Sequence, residues 1–175
     1  QLWTTLVDRQ DQQSNRIAVN VYGPTECCVN SSYTMIAGQQ PNIGRPLAYA
    51  GGYILNQQLN LVPVGTVGEL YLGGDGLARG YLHNPQLSAL RFIDNPFYDE
   101  SAPNPLKKLY KTGDLVRYLA DGQLEFIDRI DDQVKIRGYR IALGEIQHQI
   151  DLLDGINSSL VLAQGLGSGP RQLVA

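Results

Sequence analysis

Glycine and proline interrupt the first two-thirds of this chain at short intervals, with 19 glycines and 9 prolines among its 175 residues. Glycine opens turn conformations, and proline fixes φ and removes a backbone donor, so the pattern argues for many short strands joined by turns around a β-rich core. A strand is expected at residues 17–21, running directly into Tyr22-Gly23-Pro24-Thr25-Glu26. Others are expected at 52–56, 68–73 and 114–119, the last returning through the tight turn Asp121-Gly122 into 123–127. Residues 2–7 read as the end of a helix, 84–91 as a short helix, and 94–105 as a Pro/Asn-rich surface loop.

The pattern changes after Asp131-Asp132. Residues 134–141 alternate like a strand pair, and 142–153 place Ile146, Ile150 and Leu153 on one helical face. Two strand-like pieces follow, at 159–163 and 172–175. A boundary near Asp131 therefore divides the chain into 1–130 and 131–175.

Charge and cysteine usage exclude several classes of function. A net charge of −3 leaves no basic surplus for a phosphate backbone, so nucleic acid is not the expected partner. No apolar run approaches the roughly 18 residues that cross a bilayer, so no membrane span is expected. The two cysteines, Cys27 and Cys28, are adjacent and give no disulfide framework, which fits a reducing, cytoplasmic setting. Gln1 opens the chain and Met35 is its one methionine, so it is expected to be a piece of something longer.

Three stretches carry residues suited to chemistry. The turn Tyr22–Glu26 combines a ring that can stack a flat base, a Gly-Pro bend that can approach a phosphate, a hydroxyl, and a carboxylate that can hold a hard cation; an ordinary turn would look the same. Lys111-Thr112-Gly113-Asp114-Leu115 offers a second carboxylate, able to accept from two neighbouring hydroxyls as on a ribose, or merely exposed at a strand edge. Residues 128–140 mix cations and carboxylates across the boundary, as a solvated linker also would. The glycine cluster at 73–80 fails as a dinucleotide fingerprint, because Arg79 stands where the third glycine belongs, and reads as a structural turn. His83 and His148 are isolated and make no metal set.

Taken in order, these stretches resemble the motifs of nonribosomal peptide synthetase adenylation domains, members of the adenylate-forming superfamily. Asn20-Val21-Tyr22-Gly23-Pro24-Thr25-Glu26 resembles NxYGPTE, and residues 68–82 resemble GELxIxGxGxARGYL. Residues 110–115 are similar to Y(R/K)TGDL, and residues 129–146 are similar to RxDxQVKIRGxRIELGEIE. The resemblance implies an α+β fold: a distorted β-barrel subdomain closing an adenylation core, followed by a truncated small α+β subdomain. It also implies two half-reactions. An amino acid carboxylate attacks ATP to give aminoacyl-AMP and pyrophosphate, and a carrier domain's phosphopantetheine thiol then takes the aminoacyl group.

On the matching positions the resemblance places Asn20 at the adenine amine, Tyr22 on the base, Gly23 beside the nucleotide, and Thr25 at the α-phosphate. It gives Glu26 to Mg²⁺, Asp114 to the ribose hydroxyls and Arg129 to the nucleotide, with Asp131 as a hinge. Val21, Val29 and Asn30 match members of the substrate pocket, and the strand pair around Gly138 would line the pantetheine entry. A carrier domain, a condensation domain and an MbtH-like activator, the last against residues 88–92, are the implied partners.

The chain also departs from the pattern. The Gly-rich phosphate loop, the upstream helix carrying the pocket's Asp, and the C-terminal lysine motif are absent, so the chain alone is expected to be inactive. Asp128, Ala142 and Gln147 replace the usual Gly, Glu and Glu. An acyl- or aryl-CoA ligase of the same superfamily, or a non-catalytic docking fragment, are the alternatives.

Overall fold

The computed structural model describes residues 2–12, 16–103, 105–136, 139–165 and 171–175. It comprises two compact units, Gln1–Asp128 and Arg129–Ala175.

The first unit opens with helix α1 (Leu2–Gln12), which is tied down by the Trp3 indole donating to the Gly38 carbonyl at 3.1 Å. Strands β1 (Val19–Tyr22), β2 (Ser32–Met35) and β3 (Arg45–Pro46) form a small antiparallel sheet in that order. Next come β4 (Ala50–Leu55), β5 (Gly68–Gly74), helix α2 (Pro85–Arg91), β6 (Phe92–Asp94), β7 (Lys108–Tyr118) and β8 (Leu124–Arg129). Their sheet runs β4-β5-β7-β6, with β8 also paired to β7, and it curls into a half-barrel. The fold is mixed α+β and dominated by strands.

Alternation along the central strands supplies a core on both faces of this sheet. Leu70 and Leu72 of β5 join Ile54, Tyr110 and Val116 on one face, while Tyr71 between them packs with Leu55 and Leu109 on the other. Each fully buried Leu or Val here contributes on the order of 1.5–3 kcal/mol, and a sheet covered on both sides has little freedom of register.

The expected hairpin forms at Asp121-Gly122. Gly122 takes φ +81°, its N–H donates to Leu119 O at 2.9 Å, and the Asp121 carboxylate accepts from the Gln123 N–H at 3.0 Å. Helix α2 begins where Asn84 caps the Leu87 N–H at 3.0 Å, with Pro85 in the first turn. One expectation is corrected: β7 begins at Lys108, not at 114, because Thr112-Gly113-Asp114 lies inside the strand as a bulge.

The second unit holds two antiparallel pairs. They are β9 (Gln133–Ile136) with β10 (Tyr139–Ala142), and β11 (Leu162–Gly165) with β12 (Arg171–Val174); helix α3 (Leu143–Asp151) lies between them in sequence. The helix is shorter than expected. It gives way to a turn in which the Leu153 N–H donates to Ile150 O at 3.0 Å and Gly155 takes φ +89°, so Leu153 falls beyond the helical face rather than on it. The turn at Gly138 lies outside the described residues. Among the described residues no helix is long and apolar enough to cross a membrane.

Candidate functional site

Strand β1 alternates between two environments: Val19 and Val21 are exposed, whereas Asn20 and Tyr22 are half-buried on the other face. The chain then bends sharply at Gly23. A Cβ there would lie 2.5 Å from Val29 O and 2.7 Å from Ser31 N, so only glycine lets the two arms of the turn approach. Pro24 stays extended and leads into a 3-10 turn, Thr25–Cys27. Its carbonyl accepts from the Cys27 N–H at 3.0 Å and the Val29 N–H at 3.1 Å.

Cys28 and Val29 both adopt positive φ, 56° and 68°. That conformation is strained for a β-branched residue, and the Ser31 N–H to Tyr22 O bond at 2.7 Å closes the loop around it. Cys27 points into the core. Burial pushes its thiol pKa up to about 12, with smaller contributions from the charges of Glu26 and Cys28.

The second element is the bulge in β7. On β5 the pairing steps from Glu69 to Tyr71, while on β7 it steps from Leu115 to Lys111, so extra residues are inserted around Gly113. Gly113 takes φ +75°. The insert is fully bonded: Thr112 donates to Leu70 O at 2.7 Å and accepts from the Asp114 N–H at 3.0 Å, and the Gly113 N–H donates to the Glu69 carboxylate at 3.1 Å. Bulges re-aim side chains, and here Asp114, only 7% exposed, is turned to accept the Tyr22 hydroxyl on Oδ2. Asp114 is thus not the exposed strand-edge carboxylate that the sequence also allowed.

Glu26 follows four residues after Tyr22, and its Oε1 accepts the Tyr81 hydroxyl at 2.7 Å. Behind Tyr81 the Tyr110 hydroxyl lies at 3.3 Å, on the same strand as Asp114. Two carboxylates and three phenols drawn from 22–26, 81 and 110–114 therefore form two hydrogen-bonded groups, Tyr22–Asp114 and Glu26–Tyr81–Tyr110, whose rings pack on the same core. Reading the glycine run at 73–80 as a structural turn left out what that turn delivers, namely Tyr81. The available signal was its place in the stretch resembling GELxIxGxGxARGYL.

The remaining candidates are placed as follows. Asn20 donates its amide to Asn42 O at 2.7 Å, which leaves its amide oxygen as the atom of the right sense to accept an amine. The Thr25 side chain is exposed at the start of the 3-10 turn. Val21 and Val29 are 53% and 62% exposed, and Asn30 gives its carbonyl to the Tyr49 hydroxyl at 2.8 Å. Val21 lies on the opposite face of β1 from Tyr22, whereas Val29 and Asn30 belong to the loop that follows the 3-10 turn.

In the second unit, Arg129 grips Asp131 through two parallel bonds, Nε to Oδ1 at 2.7 Å and Nη2 to Oδ2 at 2.8 Å. Gln133 Oε1 accepts from Arg129 at 3.2 Å and from Arg140 at 2.5 Å. Residues 129–133 are therefore an ordered ion-pair network rather than a solvated charged linker.

Among the described residues no group of three His, Cys, Asp or Glu is arranged to hold a metal by itself. A single carboxylate such as Glu26 fits the other mode, in which Mg²⁺ takes one or two protein carboxylates and completes its shell with substrate phosphates and water.

Comparison with known proteins gives a consistent set. The family model described as AMP-binding enzyme matches residues 1–82. A component of the linear gramicidin synthase of Brevibacillus parabrevis is 51% identical over 159 residues, covering 89% of this chain and 3% of that protein. Bacitracin synthase 1 of Bacillus licheniformis is 49% identical over 162 residues, again 89% of this chain and 3% of that protein.

Among solved structures, an NRPS protein containing adenylation and PCP domains superposes with a TM-score of 0.83 at 26% identity, covering 98% of this chain and 35% of that one. A four-domain nonribosomal peptide synthetase bound to AMP and glycine matches at 44% identity and TM-score 0.60, covering 90% of this chain and 12% of that one. The chain thus spans about a third or less of the length of each of these relatives.

Proposed function

From the premise that this chain belongs to the adenylate-forming enzymes, within them to the adenylation domains of nonribosomal peptide synthetases, we propose that the full protein containing it activates an amino acid. In this reading ATP and the amino acid give aminoacyl-AMP and pyrophosphate, and the aminoacyl group passes to a carrier domain's phosphopantetheine thiol. The observation that carries it is the hydrogen bond from Tyr22 to Asp114, 92 residues away in sequence, with Glu26 in the turn that directly follows Tyr22.

The chemistry suits those residues. The attacking carboxylate is already an anion, so the site needs no general base; it must orient two negative groups and offset their charge. Asp114, fixed by the bulge, accepts the ribose hydroxyls. The Tyr22 ring, anchored through its hydroxyl to that same carboxylate, stacks on the base. Asn20 accepts the adenine amine through its amide oxygen, Gly23 leaves room for the nucleotide beside the turn, and Thr25 meets the α-phosphate. Glu26 would hold Mg²⁺, which when bound offsets phosphate charge. Val21, Val29 and Asn30 wall part of the amino acid pocket.

Pyrophosphate exchange tests this reading. The full protein should exchange label into ATP with one amino acid far above the others; exchange with no amino acid, or with a fatty or aryl acid instead, would refute it.

Arg129 and Asp131 are assigned to the nucleotide contact and to the hinge between the half-reactions. Their two parallel bonds give a specific expectation. Asp131→Pro, which fixes φ, should leave pyrophosphate exchange within about threefold of wild type and slow aminoacyl transfer to the carrier by roughly tenfold or more. Asp131→Ala, which removes the grip on Arg129 but not backbone freedom, should spare transfer. Equal losses of both half-reactions in the proline variant would remove the hinge assignment. The carrier partner is supported by the adenylation–PCP proteins among the solved relatives; a condensation domain and an MbtH-like protein are carried forward as partners on resemblance alone.

A further inference from the structure

Glu26 is held more completely than a turn residue requires. An ionised carboxylate only accepts hydrogen bonds, so in the Tyr81–Glu26 contact of 2.7 Å the phenol is the donor. The Tyr81 ring is fixed in turn. It packs edge-on against Phe92 at 5.6 Å between centroids, Phe92 packs on Tyr110 at 5.1 Å, and the Tyr110 hydroxyl stands 3.3 Å from that of Tyr81.

The backbone is fixed as well: the Tyr81 N–H donates to Ser88 Oγ at 2.8 Å, and the Ala78 N–H donates to the Glu26 carbonyl at 2.8 Å. Gly80 takes φ +143°, and a Cβ on it would sit 2.8 Å from Ser88 Oγ, so the approach of the loop to helix α2 depends on glycine. One loop, 75–81, therefore holds Glu26 by both main chain and side chain.

We propose that Tyr81 is a positioning residue for Glu26, fixing its carboxylate in the orientation in which it would hold a divalent cation. The inference rests on the reading of Glu26 as a metal ligand given above. A hydroxyl that served only the fold would influence stability alone; one that orients a ligating carboxylate influences metal affinity, because outer partners of metal ligands typically change that affinity by about ten- to a hundredfold.

The test is Mn²⁺ titration of the full protein's ATP complex, followed by electron paramagnetic resonance, on wild type and on Y81F, Y110F and E26Q. Y81F should need about tenfold more Mn²⁺ for half-saturation, with a thermal midpoint close to that of wild type. Y110F should shift in the same direction by less, and E26Q should show the largest loss. Y81F and Y110F both saturating as wild type does, while E26Q is impaired, would overturn the positioning role alone. E26Q saturating like wild type would overturn the reading of Glu26 on which it rests.

Discussion

Asp114→Ala in the full protein is expected to weaken ATP binding by about ten- to a hundredfold. Hydrogen bonds to a charged group are worth about 1.5–3 kcal/mol each, and about 1.4 kcal/mol corresponds to a factor of ten in affinity. Losing the equivalent of one ribose contact therefore gives this range, and the low exposure of Asp114 keeps solvent from replacing it. The same change takes away the acceptor of the Tyr22 hydroxyl and frees the ring meant to stack on the base. Calorimetric titration with ATP checks it; an unchanged dissociation constant would remove Asp114 from the ribose.

The second large effect belongs to Glu26. Glu26→Ala should lower the rate of pyrophosphate exchange by about a hundred- to a thousandfold, the usual cost of removing one preorganised electrostatic group from a charge-stabilising site. The loss should fall on kcat more than on the KM for the amino acid, because the proposed role of Glu26 is toward the metal and phosphates and not toward the amino acid side chain. Exchange within about threefold of wild type, under the same Mg²⁺ concentration, would separate Glu26 from the metal.

The two carboxylates also show which parts of this molecule are legible in its sequence. The turn at 22–26 and the hairpin at Asp121-Gly122 are local: Gly23 and Gly122 sit where close approach or positive φ demands them, and short-range turn chemistry reveals both. The bulge at Thr112-Gly113-Asp114 was only half visible. A glycine within an apolar strand signals a bulge, yet the expected strand began at its far side, because the residues that complete it, Leu70 and Glu69, lie 42 and 44 positions away.

Tyr81 was hidden for the same reason, its partner Glu26 being 55 positions away, and no composition or periodicity reports such a pair. Positive φ at Cys28 and Val29 could not be read at all, since those residue types disfavour it; the flanking hydrogen bonds impose it. In the second unit the strand pair at 134–141 and helix α3 were legible from periodicity; the strand expected at 159–163 instead runs Leu162–Gly165 and pairs with Arg171–Val174, and the helix end was missed because Leu153 continues the apolar pattern past the point where the backbone turns. Nor did the charges at 128–140 reveal which of them pair; the grip of Arg129 on Asp131 appears only in the geometry.

The central claim, that Tyr22, Glu26 and Asp114 surround one nucleotide, is tested most directly by comparing ATP with 2′,3′-dideoxy-ATP in wild type and Asp114→Ala. The account predicts that removing the ribose hydroxyls weakens binding to the wild-type protein by about tenfold or more and adds almost nothing in the variant, because the two changes delete the same contact. An equal penalty in both proteins would place the ribose elsewhere and contradict the account.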